Sequence, residues 1–447
     1  MKVVGLITEY NPFHNGHKYH MEEAKKITEA DQVIVVMSGN FVQRGTPAII
    51  NKYSRAEMAL SYGADVVFEL PVCYSTGSAE YFALGAVSLL NQLGIIDEIC
   101  FGSECGNIHE LTSIARILAE EPPEYKTFLN FFLKNGSTFP LARTQALKAL
   151  LPDVEEEIIS SPNNILGIEY IKALIKLDSS IKPVTITRKL AGYHEEELNI
   201  LPQNCTCSNI SSAAAINSAA SISSANAISL AASISSAAAI SSATAIRKSI
   251  LETNQLTTLE PHVPSKVLSI LNEEMGKTFP IYEDDYTLLL QYKLMEETKE
   301  SLSRYLDVSQ DISNRIKNTN ISPLTYSQLA QEIKTKQLTL TRVNRALLHI
   351  LLNITSANME EYKKGGYTQY ARILGIKKAS SHLLRKIKAQ AHIPLITKVG
   401  DAPKALTPTG LTMLQEEIFA SHLYNQVIYN KYGTLIKDEY THGIVLV

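Results

Sequence analysis

Residues 1–20 read MKVVGLITEYNPFHNGHKYH: a β-branched apolar run from Lys2 to Thr8, a turn around Asn11 and Pro12, and a helical pattern that starts near His17. Three further short apolar runs follow, Gln32 to Ser38, Val66 to Leu70 and Glu98 to Phe101. Between them, apolar residues recur at helical spacing over about His17 to Ala30, Tyr53 to Gly63 and Ser78 to Leu93. Strands alternating with helices predict an α/β fold, a Rossmann-like doubly wound parallel sheet. In such sheets ligands bind beyond the carboxyl ends of the strands, where the strand order reverses, which directs attention to the loop after the first strand. Residues 107–180 read as mainly helical, and Val184 to Arg188, introduced by Pro183, reads as another strand.

At roughly 150 residues per domain, a chain of 447 residues predicts two or three domains. Hydrophobic residues at 45% and charged residues at 19% lie near the globular average, which excludes wholesale disorder and a fibrous chain. The five cysteines, Cys73, Cys100, Cys105, Cys205 and Cys207, contain no CxxC pair, so a zinc ribbon or disulfide scaffold is not expected and a reducing compartment is. Glu9 and Pro12 interrupt the N-terminal apolar run before a signal-peptide core or membrane span is reached. A cytoplasmic location with no membrane partner is therefore expected. The net charge of −3 hides an uneven distribution: residues 331–404 carry 14 Lys or Arg against 4 Asp or Glu. A basic module on an acidic body supplies the phosphate attraction that dominates nucleic-acid affinity; scattered solvated charge is the plainer account.

From Ile210 to Ile246 no residue is charged, and isoleucine recurs every six positions. Six helical steps spread these isoleucines over three stripes, so an amphipathic helix is a poor account. A hexapeptide β-helix suits the period but would hold little bulk. Repeated copying of the last unit, ISSATAIRK at 240–248, leaving a flexible or loosely helical insert, is the better account. From about Leu251 onward the periodicity is helical, and an all-α region is expected. There Tyr362, Tyr367 and Tyr370 are interleaved with Lys363, Lys364, Arg372, Lys377 and Lys378. These tyrosines either stack on unpaired bases or are ordinary core residues.

The sharpest chemical signal is NPFHNGH, Asn11 to His17, directly after the first strand. Gly16 lets backbone approach a nucleotide, and a helix starting near His17 aims free N–H groups and its positive dipole end at phosphate. His14 and His17, about one turn apart, can hydrogen-bond phosphate oxygens that gain charge during attack at the α-phosphorus. The plain alternative is a pair of surface turn histidines. ISSATAIRK is a second phosphate grip, with small hydroxyl residues opening a helix and Arg247 and Lys248 following about one turn later. None of the upstream copies carries a cation at the matching place.

With HxGH and the later Arg motif in this order, the chain resembles the HxGH nucleotidyltransferase superfamily. The blocks GLITEYNPFHNGH, MSGNFVQRG, GADVVFELP, FGSE, SPNNILGIEY and SSATAIRK, with YARILGIKK in the C-terminal region, resemble the bacterial tRNA(Met) cytidine acetate ligase family over nearly the entire length. The repeats at 210–239 are where the sequence departs from that family's usual shorter approach to the Arg motif. The resemblance implies a two-step reaction: acetate attacks the α-phosphate of ATP to give acetyl-adenylate and pyrophosphate, and the acetyl group then passes to N4 of the wobble cytidine of elongator tRNA(Met). It implies catalytic roles for His14, His17 and Arg247. It implies an ATP site made of Ile7, Thr8, Glu9, Tyr10, Asn11, Pro12, Phe13, His14, Asn15, Gly16, His17, Lys18, Tyr19 and His20, with Gly102, Asn163 and Arg188. Gly102 leaves room for adenosine, Asn163 donates to and accepts from ribose or base, and Arg188 opposes phosphate. Mg²⁺ is expected to arrive on ATP, and no metal site is assigned.

On this reading residues 1–250 form a nucleotidyltransferase-like catalytic domain with a low-complexity insert at 210–240, and residues 251–447 a mainly α-helical tRNA-binding region. Lys377, Lys378, Arg385, Lys386 and Lys388 are its expected nucleic-acid contacts. Gln43, Arg44, Gly45, Lys52 and Arg55 contact tRNA or pyrophosphate, or simply solvate a loop. Glu69 and Glu104 orient neighbouring cations or merely end strands. A cofactor-synthesis nucleotidyltransferase acting on a small phosphorylated substrate, and a non-catalytic tRNA-binding protein, are the rival functions. The first leaves the basic region without a purpose, and the intact His14, Gly16 and His17 count against the second.

Overall fold

In the computed structural model, which describes residues 1–188 and 241–447, the first apolar run forms strand β1 (Val3–Thr8). The repeat insert at 210–240 lies outside the described residues, as do Cys205 and Cys207. β2 (Gln32–Ser38), β5 (Val66–Leu70), β6 (Glu98–Ser103) and β7 (Lys182–Thr187) follow, with a small antiparallel hairpin of β3 (Phe41–Val42) and β4 (Thr46–Pro47) after β2. The strands lie in the order β5, β2, β1, β6, β7, all parallel. The order reverses between β1 and β6, so a crevice opens there at the carboxyl ends.

Burial on both faces explains why β1, β2, β5 and β6 read as continuous apolar runs rather than as alternating ones, whereas the edge strand β7 is only partly buried. Val33, Val35 and Met37 of β2 pack with helix α1 (Asn15–Ile27) and helix α2 (Lys52–Ser61) through Met21, Ala24, Ala56 and Leu60. Ile34 and Val36 point the other way, into a core shared with Phe82 and Leu89 of the helix Ala79–Gln92.

Residues 251–447 are mainly helical, the longest helix being Pro408–Tyr432, but they are not all-α. β8 (Ala371–Ile376), β9 (Leu395–Ile396) and β10 (Val445–Leu446) extend the same sheet, β8 pairing antiparallel with β5 and flanked in parallel by β9 and β10. A six-residue apolar run such as ARILGI cannot be told from a buried helical turn by periodicity alone, which is why helical spacing absorbed it. The chain beyond 251 thus completes the sheet begun by the chain before it. Among the described residues no helix is long and apolar enough to cross a membrane.

A buried charge cluster joins the two parts. Lys52, fully buried on α2, contacts Glu69 of β5 at 2.6 Å, Glu439 at 3.1 Å and Glu417 at 3.5 Å, and Arg372 of β8 pairs with Glu69 at 3.0 Å and with Glu439. Burial pulls the Lys52 ammonium down, and Glu439 and Glu69 more than reverse it. Burial pushes the Glu417 carboxyl well above the usual range, with Glu69 adding to the effect and Lys52 opposing it.

Next to it, Glu416 accepts a 2.7 Å bond from Asn358 Nδ2, and burial pushes its carboxyl up to about 7. Below about pH 4.5 this group is protonated in the folded and unfolded chain alike. As pH rises from there towards 7 the unfolded chain loses the proton first, so the native state is progressively destabilised. Glu416→Gln should remove that loss, worth up to about 3 kcal/mol. The variant's thermal midpoint, taken relative to wild type, should rise between pH 5 and pH 8; a constant difference would refute the assignment.

Candidate nucleotide site

After β1 the chain turns through Tyr10 in the left-handed region (φ 49°) and a cis Asn11–Pro12 bond. The Asn11 Oδ1 accepts from the Ile49 N–H at 2.8 Å, and the Tyr10 and Phe13 rings pack at 4.8 Å in the core beneath. His14 then caps α1: its Nδ1 accepts from the Gly16 N–H at 3.1 Å, while His17 Nδ1 accepts from the His14 N–H at 3.3 Å. The two rings stack with centroids 3.7 Å apart. Because both Nδ1 atoms accept, the proton of each neutral ring lies on Nε2, which becomes a donor.

Both rings are held neutral. Burial, then Arg188 and Arg247, push His14 down to about 3. Burial, His14, His20 and Arg188 hold His17 well below its ordinary value, and burial with Arg188 takes His20 down to about 4.

These residues face a cavity of about 310 Å³ at the carboxyl ends of β1, β6 and β7, a size usual for small-molecule sites. One part of it is polar. His14, His17, His20 and Asn11 line it together with Arg188 after β7 and with Ser241, Ser242, Thr244 and Arg247 at the start of the helix Ala243–Thr253. Ser242 caps that helix, and Arg247 donates to the Asn11 carbonyl at 2.7 Å and to Thr244 Oγ1 at 3.2 Å. Two helix N-termini thus converge on one space, each an anion site by its free N–H groups and dipole. Phe82, Phe101, Leu166, Tyr170 and Ile186 add an apolar part to the lining.

Asn163 is oriented rather than loose. Glu104 Oε1 accepts from its Nδ2 at 2.6 Å, Glu104 Oε2 accepts from the Asn164 N–H at 2.8 Å, and Asn163 Oδ1 accepts from Arg188 Nη1 at 3.0 Å. A Cβ on Gly102 would stand 3.2 Å from Arg188 Cγ, so any larger residue there would push the arginine stem aside by a few tenths of an ångström.

Of the segment 7–20, Ile7, Thr8, Glu9, Asn11, His14, Gly16, His17, Tyr19 and His20 line the cavity, as do Gly102, Asn163, Arg188 and Arg247. Tyr10, Pro12, Phe13, Asn15 and Lys18 do not. Tyr10 and Phe13 are core, Asn15 Nδ2 donates to the Pro261 carbonyl at 2.9 Å, and Lys18 lies over the Tyr62 ring. Lys248 is also absent from the lining. Gln43 and Arg44 at the β3–β4 turn do line the cavity, whereas Lys52 belongs to the buried charge cluster. Arg55, also buried, donates to the carbonyls of Glu9, Ser38, Gly39 and Ile50, pinning the ends of β1 and β2. Neither is placed to meet tRNA or pyrophosphate. The apolar lining was missed because Phe82, Phe101, Leu166 and Tyr170 sit on helices and a strand whose patterns read as ordinary core.

The basic residues lie elsewhere. Lys377 and Lys378 follow β8, and Arg385, Lys386 and Lys388 sit on the helix His382–Gln390, all exposed or half-buried and none in an ion pair among the described residues. Since Ile376 pairs with Val66, the patch stands at the amino ends of the parallel strands. The cavity is at the opposite end, a strand length of about 20 Å away. Tyr362 and Tyr370 are core residues, each 1% exposed, and are not available to stack on bases.

The profile of the HIGH Nucleotidyl Transferase family matches residues 1–236 and 218–439. A tRNA(Met) cytidine acetate ligase of Acetivibrio thermocellus is 41% identical over 452 aligned residues, covering all of both chains, and one of Clostridium novyi is 36% identical over 448, again covering both. The crystal structure of Thermotoga maritima TmcAL bound with alpha-thio ATP superposes with a TM-score of 0.83 at 29% identity, and the apo form of that protein with 0.85, both over the whole of each chain. With a switch-point crevice, a doubly capped HNGH turn and relatives matched from end to end, the chain belongs to the tRNA(Met) cytidine acetate ligase family of HIGH nucleotidyl transferases.

Proposed function

We propose that this chain is a cytoplasmic ATP-dependent ligase that activates acetate as acetyl-adenylate and acetylates N4 of the wobble cytidine of elongator tRNA(Met). The observation that carries the reading is the pairing of two neutral imidazole donors at one helix N-terminus with Arg188 and Arg247 across the same cavity. The apolar lining residues suit an adenine ring, and Gly102, Asn163 and Arg188, which line the same cavity, are proposed to meet the ribose and phosphates. Acetate is already a carboxylate nucleophile, so its oxygen attacks the α-phosphorus without a general base, and pyrophosphate leaves. His14 and His17 then act as Nε2–H donors to oxygens whose charge grows in the transition state, and neutrality costs them nothing in that role. Mg²⁺ carried in on the triphosphate would spread its negative charge. In the second step the cytidine amine attacks the acetyl carbonyl, AMP leaves and the amine gives up a proton. Incubating the protein with tRNA, ATP and labelled acetate, then analysing nucleosides by mass spectrometry, tests the whole reading; no label in cytidine would overturn it.

Lys377, Lys378, Arg385, Lys386 and Lys388 are proposed to hold a part of the tRNA remote from the base that enters the cavity, since the sheet separates the two. Changing all five to Gln should leave acetate-dependent ATP–pyrophosphate exchange intact. The salt dependence of tRNA binding should flatten by roughly one unit of slope for every phosphate that the substituted side chains no longer neutralise. Unchanged affinity and slope would place the docking face elsewhere.

A further inference from the structure

His262 belongs to no motif, yet it sits between the two helix N-termini that face the cavity. It is 4% exposed, and its Nδ1 shares a 3.0 Å hydrogen bond with the hydroxyl of Ser241, itself 1% exposed and part of the cavity wall. Its backbone carbonyl accepts the Asn15 N–H at 3.0 Å, and the carbonyl of Pro261 accepts Asn15 Nδ2 at 2.9 Å. Asn15 is the first residue of α1, directly between His14 and Gly16, and Ser241 directly precedes the cap of the helix that carries Arg247. One residue therefore ties the imidazole side of the site to the guanidinium side, across more than two hundred residues of sequence.

We infer that His262 is a positioning residue that fixes the register between the HNGH turn and the SSATAIRK helix, so that His14, His17 and Arg247 meet one phosphate chain together. This rests on the ATP reading given above. A misplacement of about 1 Å in such an arrangement costs on the order of 10²-fold in rate, so a residue touching no substrate can govern turnover. Burial holds the imidazole below its ordinary pKa, in keeping with a neutral hydrogen-bonding partner rather than a cation.

The test is a set of four chains, His262→Phe, His262→Asn, Ser241→Ala and the double variant Ser241→Ala with His262→Asn. Each is assayed for ATP binding by calorimetry and for kcat and KM in acetate-dependent pyrophosphate exchange well below its thermal midpoint. His262→Phe should lower kcat at least about 10-fold while ATP affinity changes far less. Asn places an amide where Nδ1 stood and should restore kcat to within about 3-fold, and Ser241→Ala should be at least as slow as the Phe variant. The double variant should be no worse than Ser241→Ala alone, because once the Ser241 hydroxyl is gone the side chain at 262 has no bond to it left to lose. Unimpaired turnover in His262→Phe overturns the inference, as does a His262→Asn chain as slow as the Phe variant. A wild-type chain that binds no ATP would overturn the ATP reading and this inference together; the other outcomes bear on His262 alone.

Discussion

Replacing His14 or His17 with Ala is expected to slow acetate-dependent pyrophosphate exchange about 10²- to 10³-fold, the usual cost of removing one donor aimed at developing charge. The loss should fall on kcat rather than on ATP affinity, because the phosphate oxygens gain their charge mainly in the transition state. His14 complicates the experiment, since its ring also caps α1 and losing a cap costs about 1 kcal/mol of stability. His14→Asn separates the two effects: Asn caps well but has no counterpart of the Nε2–H. It should be as stable as wild type and as slow as His14→Ala. Because His14 is pushed down to about 3 and His20 to about 4, kcat/KM for ATP, which reports the free protein, should show no imidazole inflection between about pH 5.5 and 8. Near-normal exchange in His14→Ala and His17→Ala would remove both residues from the chemistry, and a His14→Asn chain that regains activity would remove His14.

The parallel sheet was legible because its strands are buried on both faces and so read as unbroken β-branched runs, as at Gln32–Ser38 and Val66–Leu70. The nucleotide loop was legible because the cap that opens its helix is local, His14 and His17 closing on the N–H groups of Gly16 and His14. What sequence did not reveal depends on contacts between distant segments. ARILGI becomes β8 only because β5 offers it an edge, and Lys52 and Arg55 are buried only because Glu69, Glu417, Glu439 and four backbone carbonyls surround them. On a linear reading such cations look like loop charges. The same holds for Tyr362 and Tyr370, whose basic neighbours in sequence point to nucleic acid while their rings point into the core. His262 is the extreme case, since both of its partners in the site lie on other segments and nothing in its own neighbours marks it.

Arg247→Ala is expected to lower adenylate formation by roughly 10- to 10²-fold, the range set by losing a hydrogen bond from a charged donor worth about 1.5–3 kcal/mol. Its guanidinium already bridges the two sides of the site, holding the Asn11 carbonyl and Thr244 while it lines the cavity, so the variant gives up both a grip on phosphate and a clasp that closes the site. Arg247→Lys should recover little, because an ammonium cannot reproduce the planar fork that reaches two acceptors at once. The upstream copies of the repeat supply the control. Ile210 to Ala239 carry hydroxyls and methyls but no cation, so none of them can stand in for Arg247, and deleting them should leave exchange close to wild type. Long uncharged insertions add little closure cost, each doubling of a loop being worth about 0.6 kcal/mol, which is why the enzyme can carry them or lose them. Both chains must first be shown to unfold cooperatively with a normal thermal midpoint. A folded deletion that no longer exchanges, or an Arg247→Ala chain at full rate, would mean that the repeat is structural and that the phosphate grip lies elsewhere.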